Sequence, residues 1–286
     1  MRRRESRNPV PPELVFHYTN PAGLLGIISS GCLWATDVNF LNDTEELTYA
    51  RPTAVKALRG RADELAASRE DGGWDTAEEL RAVVLRNIAN ELENSVRAES
   101  ANTYHAYVSC FCEDGDLLSQ WRAYGTENGY AIGFRSGRLL ASSDVPDQVR
   151  FDGVVYGLEQ ARSHIDEMLE EAARPAAGFP GSTGNNRLMT IVLPAVATIK
   201  HPTFAEEKEW RLLTTTWGIP TGLQFRPGPV GLVPYLRFKF PPDAVAQVVV
   251  GPGLYSDART NGIRQFLASC GLDSVEVVGS RSPLRL

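Results

Sequence analysis

The sequence predicts an α+β fold, and three of its features support this. Short apolar strands recur along the chain without regular alternation with helices, which favours a mixed architecture over a doubly wound parallel sheet. Residues 45–100 are rich in Ala, Arg, Glu and Leu at helical spacing. The 286 residues, 43% of them hydrophobic, can bury one large core. We therefore expect a single domain over residues 1–286, with 45–100 as a helical insertion and 1–12 as a flexible basic tail.

Composition excludes several classes of protein. No window approaches the roughly 18 apolar residues of a membrane helix, and "MRRRESR" is followed by "NPVPPEL" rather than by a signal core, so we expect a cytoplasmic protein. The net charge of -6 argues against a surface devoted to nucleic acid, although it leaves room for a local basic cleft. The only close cysteine pair is the C-x-C of "SCFC", so we expect buried reduced thiols and no metal site.

The first elements are predicted from the stretch "FHYTNPAGLLGIISSGCLWATD". A short strand occupies 16–19, and Asn20 followed by Pro21 is typical of a helix N-cap and first helical position. The helix "AGLLGIISSG" carries an apolar face and ends at Gly31, which suits the left-handed position after a helix. "CLWATD" then predicts a second strand.

Later elements follow from the same patterns. Two helices separated by "REDGGWD" fill the insertion, and "RSHIDEMLEEAARP", "RLMTIVLPAVATIKHP" and "DARTNGIRQFLASCG" predict further helices, the second of them broken at Pro194. Strands are predicted at "TYHAYVSCFCE", "GYAIGFR", "VRFDGVVYG", "EWRLLTTTW", "YLRFKFP", "VAQVVVGP" and "VEVVGS". The glycine-rich fingerprints of familiar nucleotide-binding folds do not occur in the sequence.

The first candidate cluster is His17, Tyr18 and Thr19. In a strand His17 and Thr19 share one face, so an imidazole and a hydroxyl can be presented together, while Tyr18 packs or stacks on the other side. The structural alternative is a histidine that merely satisfies its own hydrogen bonds.

The second candidate cluster lies in "EDGDLLSQWRAYG". Trp121 and Tyr124 are three residues apart on a predicted helix and so meet on one face, with Arg122 beside them. Such a pair suits a stacking platform for a planar ring, and it suits an ordinary core equally well.

The third candidate cluster is "KHPTFAEEKEWRLL". Glu207, Glu209 and Arg211 alternate along a predicted strand and share a face, while Trp210 and Leu212 turn to the core. Charged side chains in a row are costly to bury unless they pair or line a cleft. A surface ion pair between Glu209 and Arg211 is the alternative.

These blocks, in this order, resemble a bacterial family known only as domain of unknown function twenty-nine seventy-one. The resemblance runs from His17 to Pro252. It rests on "FHYTN", "LLGIISSGCLWATD", "FLND", "VSCFCEDGDLLSQWRAYG", "GYAIGF", "FAEEKEWRLL" and "VVVGP". Cys112 departs from the family pattern, which has serine there.

That family is similar in turn to the ADP-ribosyltransferase superfold. "HYTN" followed by "GLLGIISSGCLWA" resembles the entry of DNA-modifying ADP-ribosyltransferase toxins and of RNA 2′-phosphotransferases. The resemblance implies a core with a split mixed or antiparallel sheet. It also implies NAD as a substrate and no metal.

The resemblance assigns roles to particular residues. His17, with Thr19 beside it, matches the first-strand residue that binds the NAD ribose. Ser109 or Tyr124 matches the middle position that supports the nicotinamide half. Glu209 matches the late catalytic glutamate. Glu207, the first residue of the E-x-E pattern, faces the acceptor.

The chemistry of NAD cleavage makes these residue types sensible. Loss of nicotinamide passes through a cationic ribose, which a carboxylate such as Glu209 stabilises, and Glu207 acts as general base toward the acceptor. Tyr18 or Tyr124 would sandwich the nicotinamide. Trp121 and Arg211 complete the residues expected to contact NAD.

"FLNDTEE" supplies a last set of polar side chains. We expect Asn42, Asp43 and Glu45 to organise the rim of the cleft or to contact the acceptor. An Asx-type turn or an N-cap formed by Asn42 and Asp43 for the following helix is compatible with this role.

The expected function is therefore an NAD-dependent ADP-ribosyltransferase-like activity toward a macromolecule, nucleic acid or protein, in a bacterial toxin or anti-phage effector. One alternative is an NAD glycohydrolase, in which water is the acceptor. The other is a non-catalytic module that binds a nucleotide or nucleic acid through aromatic and arginine side chains.

Overall fold

A computed structural model describes eight stretches of the chain, namely residues 10–41, 44–67, 76–94, 104–125, 128–139, 149–173, 192–228 and 231–282. The strands, in chain order, are β1 (Leu14–Thr19), β2 (Cys32–Asp37), β3 (Tyr104–Cys112), β4 (Tyr130–Arg135), β5 (Arg150–Gly153), β6 (Val155–Tyr156), β7 (Ile199–Lys200), β8 (Glu209–Trp217), β9 (Gln224–Gly228), β10 (Gly231–Lys239), β11 (Val245–Val250) and β12 (Glu276–Gly279). The α-helices are α1 (Pro21–Ser30), α2 (Thr44–Ala67), α3 (Thr76–Asn94), α4 (Leu118–Tyr124), α5 (Ser136–Leu139), α6 (Leu158–Ala173), α7 (192–196) and α8 (Ser256–Ser269). Short 3-10 helices occupy Val38–Phe40, Pro202–Glu207 and Pro242–Ala244.

The fold is built on one large mixed sheet. Its strand order is β12-β11-β4-β1-β3-β2-β10-β9, and β8 and β5 extend it from β3. The pair β11 and β12 is parallel, whereas the other pairs of this sheet are antiparallel. Strands β6 and β7 form a separate parallel pair. The prediction of a mixed architecture of helices and strands is confirmed at this level.

The unit formed by β1, α1 and β2 agrees with its sequence signals. Asn20 caps α1, because its side chain accepts a hydrogen bond from the backbone N–H of Gly23 at 2.8 Å, and Pro21 is the first helical residue. Gly31 follows the helix with a φ of 60°, where a side chain would be strained. The chain then turns directly into β2.

Pairing along β3 divides the large sheet. β8 occupies one edge of β3 over residues 104–112. Strands β1 and β2 therefore share the other edge, where β1 pairs at Cys112 and β2 pairs at Tyr107 and Val108. Between these pairings, at residues 109–111, β1 and β2 separate. The sheet consequently has a split on this edge.

Apolar clusters cover both faces of the sheet. On one face, helices α1 and α8 contribute Leu24 and Ile263 to the main core, which also contains Phe111 and Leu212 from β3 and β8. On the other face, α4 contributes Trp121, which packs with Phe16 and Tyr18 of β1 in a smaller cluster. Both faces near the split are therefore fixed by packing.

Helices α2, α3, α6 and α7 form a third layer with its own apolar core, which includes Leu58, Ile88 and Ile165. Apolar residues that recur at helical spacing on α2 and α3 drive this packing, as the sequence of the insertion predicts. Within the described stretches, no helix is long and apolar enough to cross a membrane.

The predicted break at Pro194 stays a prediction, because the described part of α7 begins only two residues before it. Three other local features differ from the sequence predictions. Glu207 ends a 3-10 helix, and Lys208 then adopts a left-handed φ of 42°, so β8 begins only at Glu209. Strand β9, Gln224–Gly228, carries no apolar alternation and was not predicted. Cys270 is an exposed free thiol, whereas buried thiols were predicted.

Candidate functional site

A cavity of about 450 Å³, which we call the split cavity, opens where β1 and β2 separate along β3. Among the predicted residues it is lined by His17, Tyr18, Ser109, Tyr124, Glu207, Glu209 and Arg211, and it is also lined by Trp34, Thr36, Cys110, Lys200, Phe204 and Arg226. Segments from the beginning, middle and end of the chain thus meet at one place. The size lies within the range of ordinary small-molecule sites.

His17 lies at the split itself. Its Nδ1 is 2.9 Å from the backbone carbonyl oxygen of Cys110. Cys110 lies on the stretch of β3 with which neither β1 nor β2 pairs. Because a carbonyl only accepts, Nδ1 carries the proton, and the neutral ring presents Nε2 as an acceptor. Burial lowers the pKa of His17, and the hydrogen bond to Cys110 only partly opposes this effect. The imidazole is therefore neutral near pH 7.

The lowered pKa of His17 predicts a dependence of stability on pH. An unfolded histidine titrates near its ordinary value of 6.5, so just below that pH the unfolded chain binds a proton that the folded chain does not. The free energy of unfolding should fall as the pH is lowered from 7 to 5. Denaturant unfolding of the wild type and of His17→Asn, which keeps a donor toward Cys110, measures the contribution of His17.

His164 must be included in that experiment, because burial lowers its pKa as well. We expect His17→Asn and His164→Asn each to reduce the loss of stability between pH 7 and pH 5, and the double variant to reduce it further. A His17→Asn profile parallel to that of the wild type would contradict the prediction.

A cluster of four charged side chains forms one end of the split cavity. Lys200 Nζ donates to Glu207 Oε2 at 2.6 Å and to Glu209 Oε2 at 2.9 Å. Arg211 Nε donates to Glu209 Oε1 at 2.7 Å, and its Nη1 donates to the carbonyl oxygen of Ala197 at 2.5 Å. Two cations thus meet two carboxylates, and the cluster is close to neutral.

Glu209 is the centre of this cluster. Burial alone would raise the pKa of its carboxyl, but the positive charges of Arg211 and Lys200 outweigh burial and lower that pKa to about 2. A carboxylate has about four acceptor positions. Arg211 takes two of them, Lys200 takes one, and the thiol of Cys110 makes a further hydrogen bond. Glu209, only 4% exposed, is therefore fully engaged by the protein.

Glu207 differs from Glu209 in its surroundings. Its side chain is 15% exposed, against 3% for that of Glu209, and it reaches the cavity from the end of a 3-10 helix rather than from the strand. Lys200 holds the two carboxylates together by bridging them. The E-x-E spacing therefore brings both glutamates to the cavity, although not by the strand alternation that was predicted.

Aromatic side chains also line the split cavity. Tyr124, at the end of α4, is 44% exposed, and Trp34 on β2 is 37% exposed. Tyr18 also lines the cavity, but its hydroxyl is occupied, since it donates to the carbonyl oxygen of Asp114 and accepts from the N–H of Leu117, both at 2.8 Å. Tyr124 and Trp34 can therefore stack on a ligand, whereas Tyr18 mainly holds a loop.

Trp121 does not join Tyr124 at the cavity. It is 0% exposed, its ring lies edge-on to Tyr18 with centroids 4.7 Å apart, and its Nε1 donates to Asp116 Oδ1 at 2.7 Å. The predicted pairing of Trp121 and Tyr124 as one platform is thus replaced by the core alternative, because α4 turns the indole toward the sheet.

Ser109 and Thr19 complete the predicted residues of the described stretches. Ser109 is 2% exposed, and its Oγ, although buried, has no hydrogen-bond partner among the described residues. Thr19 does not belong to the cavity lining. Asn42 and Asp43 lie outside the described residues. The backbone of Glu45 belongs to α2, but its side chain also lies outside what the structure describes.

Four lining residues were given no role by sequence reasoning. Trp34 and Thr36 alternate in "CLWATD", and that alternation alone could have drawn attention to them. Lys200 opens the block "KHPTFAEEKEWRLL", but no role was predicted for it. Arg226 lies in "LQFRPG", which carries no recognisable signal. Within the described ranges, no group of three or more metal-ligating side chains comes together.

Comparison with known proteins gives one match. Residues 120–212 match the model of a family described as protein of unknown function (DUF2971). This stretch runs from α4 into β8 and contains Tyr124 and the whole charged cluster. No curated protein and no solved structure matches the chain. The predicted family resemblance is thus confirmed over residues 120–212.

Proposed function

We propose that this chain, which carries the DUF2971 match over residues 120–212, is an ADP-ribosyltransferase-like enzyme that cleaves NAD and transfers ADP-ribose to a macromolecule. The observation that carries the proposal is the convergence of His17, Tyr124, Glu207 and Glu209 on one cavity. These residues come from elements far apart in the sequence. A purely structural role for each would not require them to share an opening in the sheet.

The composition of the cavity fits a dinucleotide. Exposed faces of Tyr124 and Trp34 offer stacking surfaces for planar rings. The Nε2 acceptor of His17 suits a ribose hydroxyl, and the buried hydroxyl of Ser109 lacks a partner among the described residues. Apolar walls with a few convergent polar groups are the usual features of such sites.

The proposed reaction breaks the bond between the ribose C1′ and the nicotinamide nitrogen, and the bonding electron pair leaves with nicotinamide. A lone pair of the acceptor then forms the new bond to C1′, and the proton of the acceptor passes to a carboxylate. Positive charge develops on the ribose as the bond breaks, so negative charge nearby stabilises the transition state.

The geometry favours different roles for the two glutamates. Glu207 is the more exposed carboxylate, and we assign to it the contact with the ribose or acceptor and the role of general base. Glu209 is engaged by Arg211, Lys200 and Cys110, so we assign to it the positioning of Lys200 and hence of Glu207. Glu209 is in this scheme a positioning residue.

The proposed setting is a cytoplasmic bacterial toxin or anti-phage effector. Its support is the resemblance of the first strand and helix to toxins of the ADP-ribosyltransferase superfold. The acceptor is proposed to be nucleic acid or protein, because those toxins modify macromolecules.

Glu207→Gln tests the proposal directly. The change keeps size and hydrogen bonding but removes the negative charge, so NAD cleavage should slow by on the order of 10²–10³, as for the loss of one well-placed electrostatic group. The assay follows nicotinamide release and transfer of label from adenylate-labelled NAD in cell lysate. Glu93→Gln, which removes a carboxylate of an exposed ion pair with Arg59, is the matched control.

The same assay separates the alternatives. Nicotinamide release without any labelled macromolecule would indicate a glycohydrolase. A wild type that gives neither product would reject the enzyme. If ligand binding also survives Glu207→Gln and weakens steeply with salt, the chain is a binding module.

A further inference from the structure

We propose that Arg226 and Thr36 form a phosphate-binding subsite at the end of the split cavity remote from the glutamates. In naming the diphosphate of NAD as the occupant, the proposal rests on the proposed function. The subsite itself follows from the local contacts and charges described next.

Arg226 reaches the cavity from the outermost strand of its half of the sheet. It pairs with Val233 of β10, and Thr36 of β2 pairs with Tyr235, two residues further along β10. All four side chains therefore lie on the same face. Arg226 Nη2 extends across β10 and donates to Thr36 Oγ1 at 3.2 Å. The guanidinium is thus held in place by a neutral partner.

The charge of Arg226 is not balanced within the lining of the cavity. Glu207 and Glu209 are both engaged by Lys200, and Glu209 also by Arg211. Among the described residues, no carboxylate pairs with Arg226. The lining thus has three cations, two carboxylates and a neutral His17. An excess positive charge remains at the Arg226 end, which favours an anionic ligand.

A second observation at Arg226 is independent of this count. Its Nε is buried and has no hydrogen-bond acceptor among the described residues. A buried N–H of a charged group without a partner is unfavourable unless a ligand supplies the acceptor. The fork of Nε and Nη matches two phosphate oxygens. Thr36 accepts its bond from Arg226 and so keeps its own proton to donate to the same phosphate.

The position of Arg226 also sets the direction of the ligand. The glutamate cluster lies on the β8 side of β3, and Arg226 lies beyond β2 and β10 on the other side. Trp34 precedes Thr36 by two residues and shares its face, which provides a stacking surface beside the phosphate. The diphosphate would therefore lie toward β9 and the scissile glycosidic bond toward β8.

Binding measurements on the full chain test this subsite. Calorimetric titration with ADP, adenosine and pyrophosphate would be compared between the wild type and Arg226→Gln. We expect the wild type to bind ADP about 10- to 100-fold more tightly than adenosine, the usual worth of charge-assisted hydrogen bonds. Arg226→Gln should remove this difference and leave adenosine affinity within about two-fold.

Arg264→Gln makes the same charge change on the exposed surface of α8 and should bind ADP like the wild type. Thermal unfolding of each variant checks the fold, and Arg226→Lys should recover part of the affinity because it restores the charge without the fork. An ADP affinity unaffected by Arg226→Gln would overturn the subsite, as would a wild type that binds adenosine as tightly as ADP. Pyrophosphate that binds as tightly as ADP would overturn the assignment to a nucleotide.

Failure of this proposal differs from failure of the proposed function. If ADP binding depends on Arg226 but NAD is not cleaved, the subsite is supported and the transferase is rejected. If the protein cleaves NAD but Arg226→Gln changes neither the KM for NAD nor the ADP affinity, the subsite is rejected and the transferase remains.

Discussion

Glu209→Ala is expected to lower the free energy of unfolding by about 3–5 kcal/mol, the usual cost of removing one partner from a buried ion pair. The carboxylate is the shared partner of Arg211 and Lys200, which are both buried. Its loss removes two hydrogen bonds from Arg211 and one from Lys200. Desolvated positive charge would then be only partly compensated.

Urea or guanidinium unfolding at pH 7 measures this effect. Glu93→Ala removes a carboxylate of the exposed Arg59 pair and should cost about 0–1 kcal/mol. Glu209→Gln keeps the shape and part of the hydrogen bonding, so it should fall between Glu209→Ala and the wild type. Equal stability of Glu209→Ala and Glu93→Ala would show that the cluster is solvated, and the positioning role of Glu209 would then lose its basis.

Trp121→Ala should be the second large effect, with a loss of about 3–5 kcal/mol in the free energy of unfolding, typical of removing a large buried aromatic side chain. The indole is completely buried against Tyr18 and also donates to Asp116. Its removal leaves a cavity between α4 and β1 and removes one hydrogen bond to Asp116, which keeps those from Ser280 and Arg281. Trp121→Phe should cost less, because most of the packing remains. Thermal or denaturant unfolding gives both values.

Ligand binding by the same variants separates a core role from a stacking role. Trp121→Phe should keep the affinity for ADP, because Trp121 does not line the split cavity, whereas Tyr124→Ala should weaken the binding of a planar ligand by about 1–3 kcal/mol in free energy. If a well-folded Trp121→Phe variant loses affinity for ADP, Trp121 contributes to stacking as the sequence spacing predicted.

Local structure was readable from the sequence where local signals decide it. Asn20, Pro21 and Gly31 set the limits of α1, because capping and a left-handed φ depend on the residues themselves. The apolar runs of β3, β8 and β11 were likewise predicted, since burial on the two faces of a sheet requires them. Strand β9 was not predicted, because its sequence carries no apolar alternation.

The site was only partly readable. His17 and Glu209 were predicted from short motifs, and the structure brings both to one cavity. The pairing of Glu209 with Arg211 was foreseen as an alternative, because the two residues share a face of β8. The contact with Lys200 was not predictable, because Lys200 reaches Glu209 from β7. Arg226 was missed because its strand has no apolar pattern. Its position in the cavity depends on a hydrogen bond to Thr36, which is far away in the sequence.

Most strands and helices, the limits of α1 and the residue types suited to sugar and phosphate chemistry could be predicted from local sequence patterns. Which of these side chains share a cavity depends on the folded sheet, because β8 pairs along one whole edge of β3 and β1 and β2 must divide the other edge. The split that results sets the polar groups of distant segments within reach of one another. Such pairing between strands depends on contacts across the whole chain, and no local pattern encodes it.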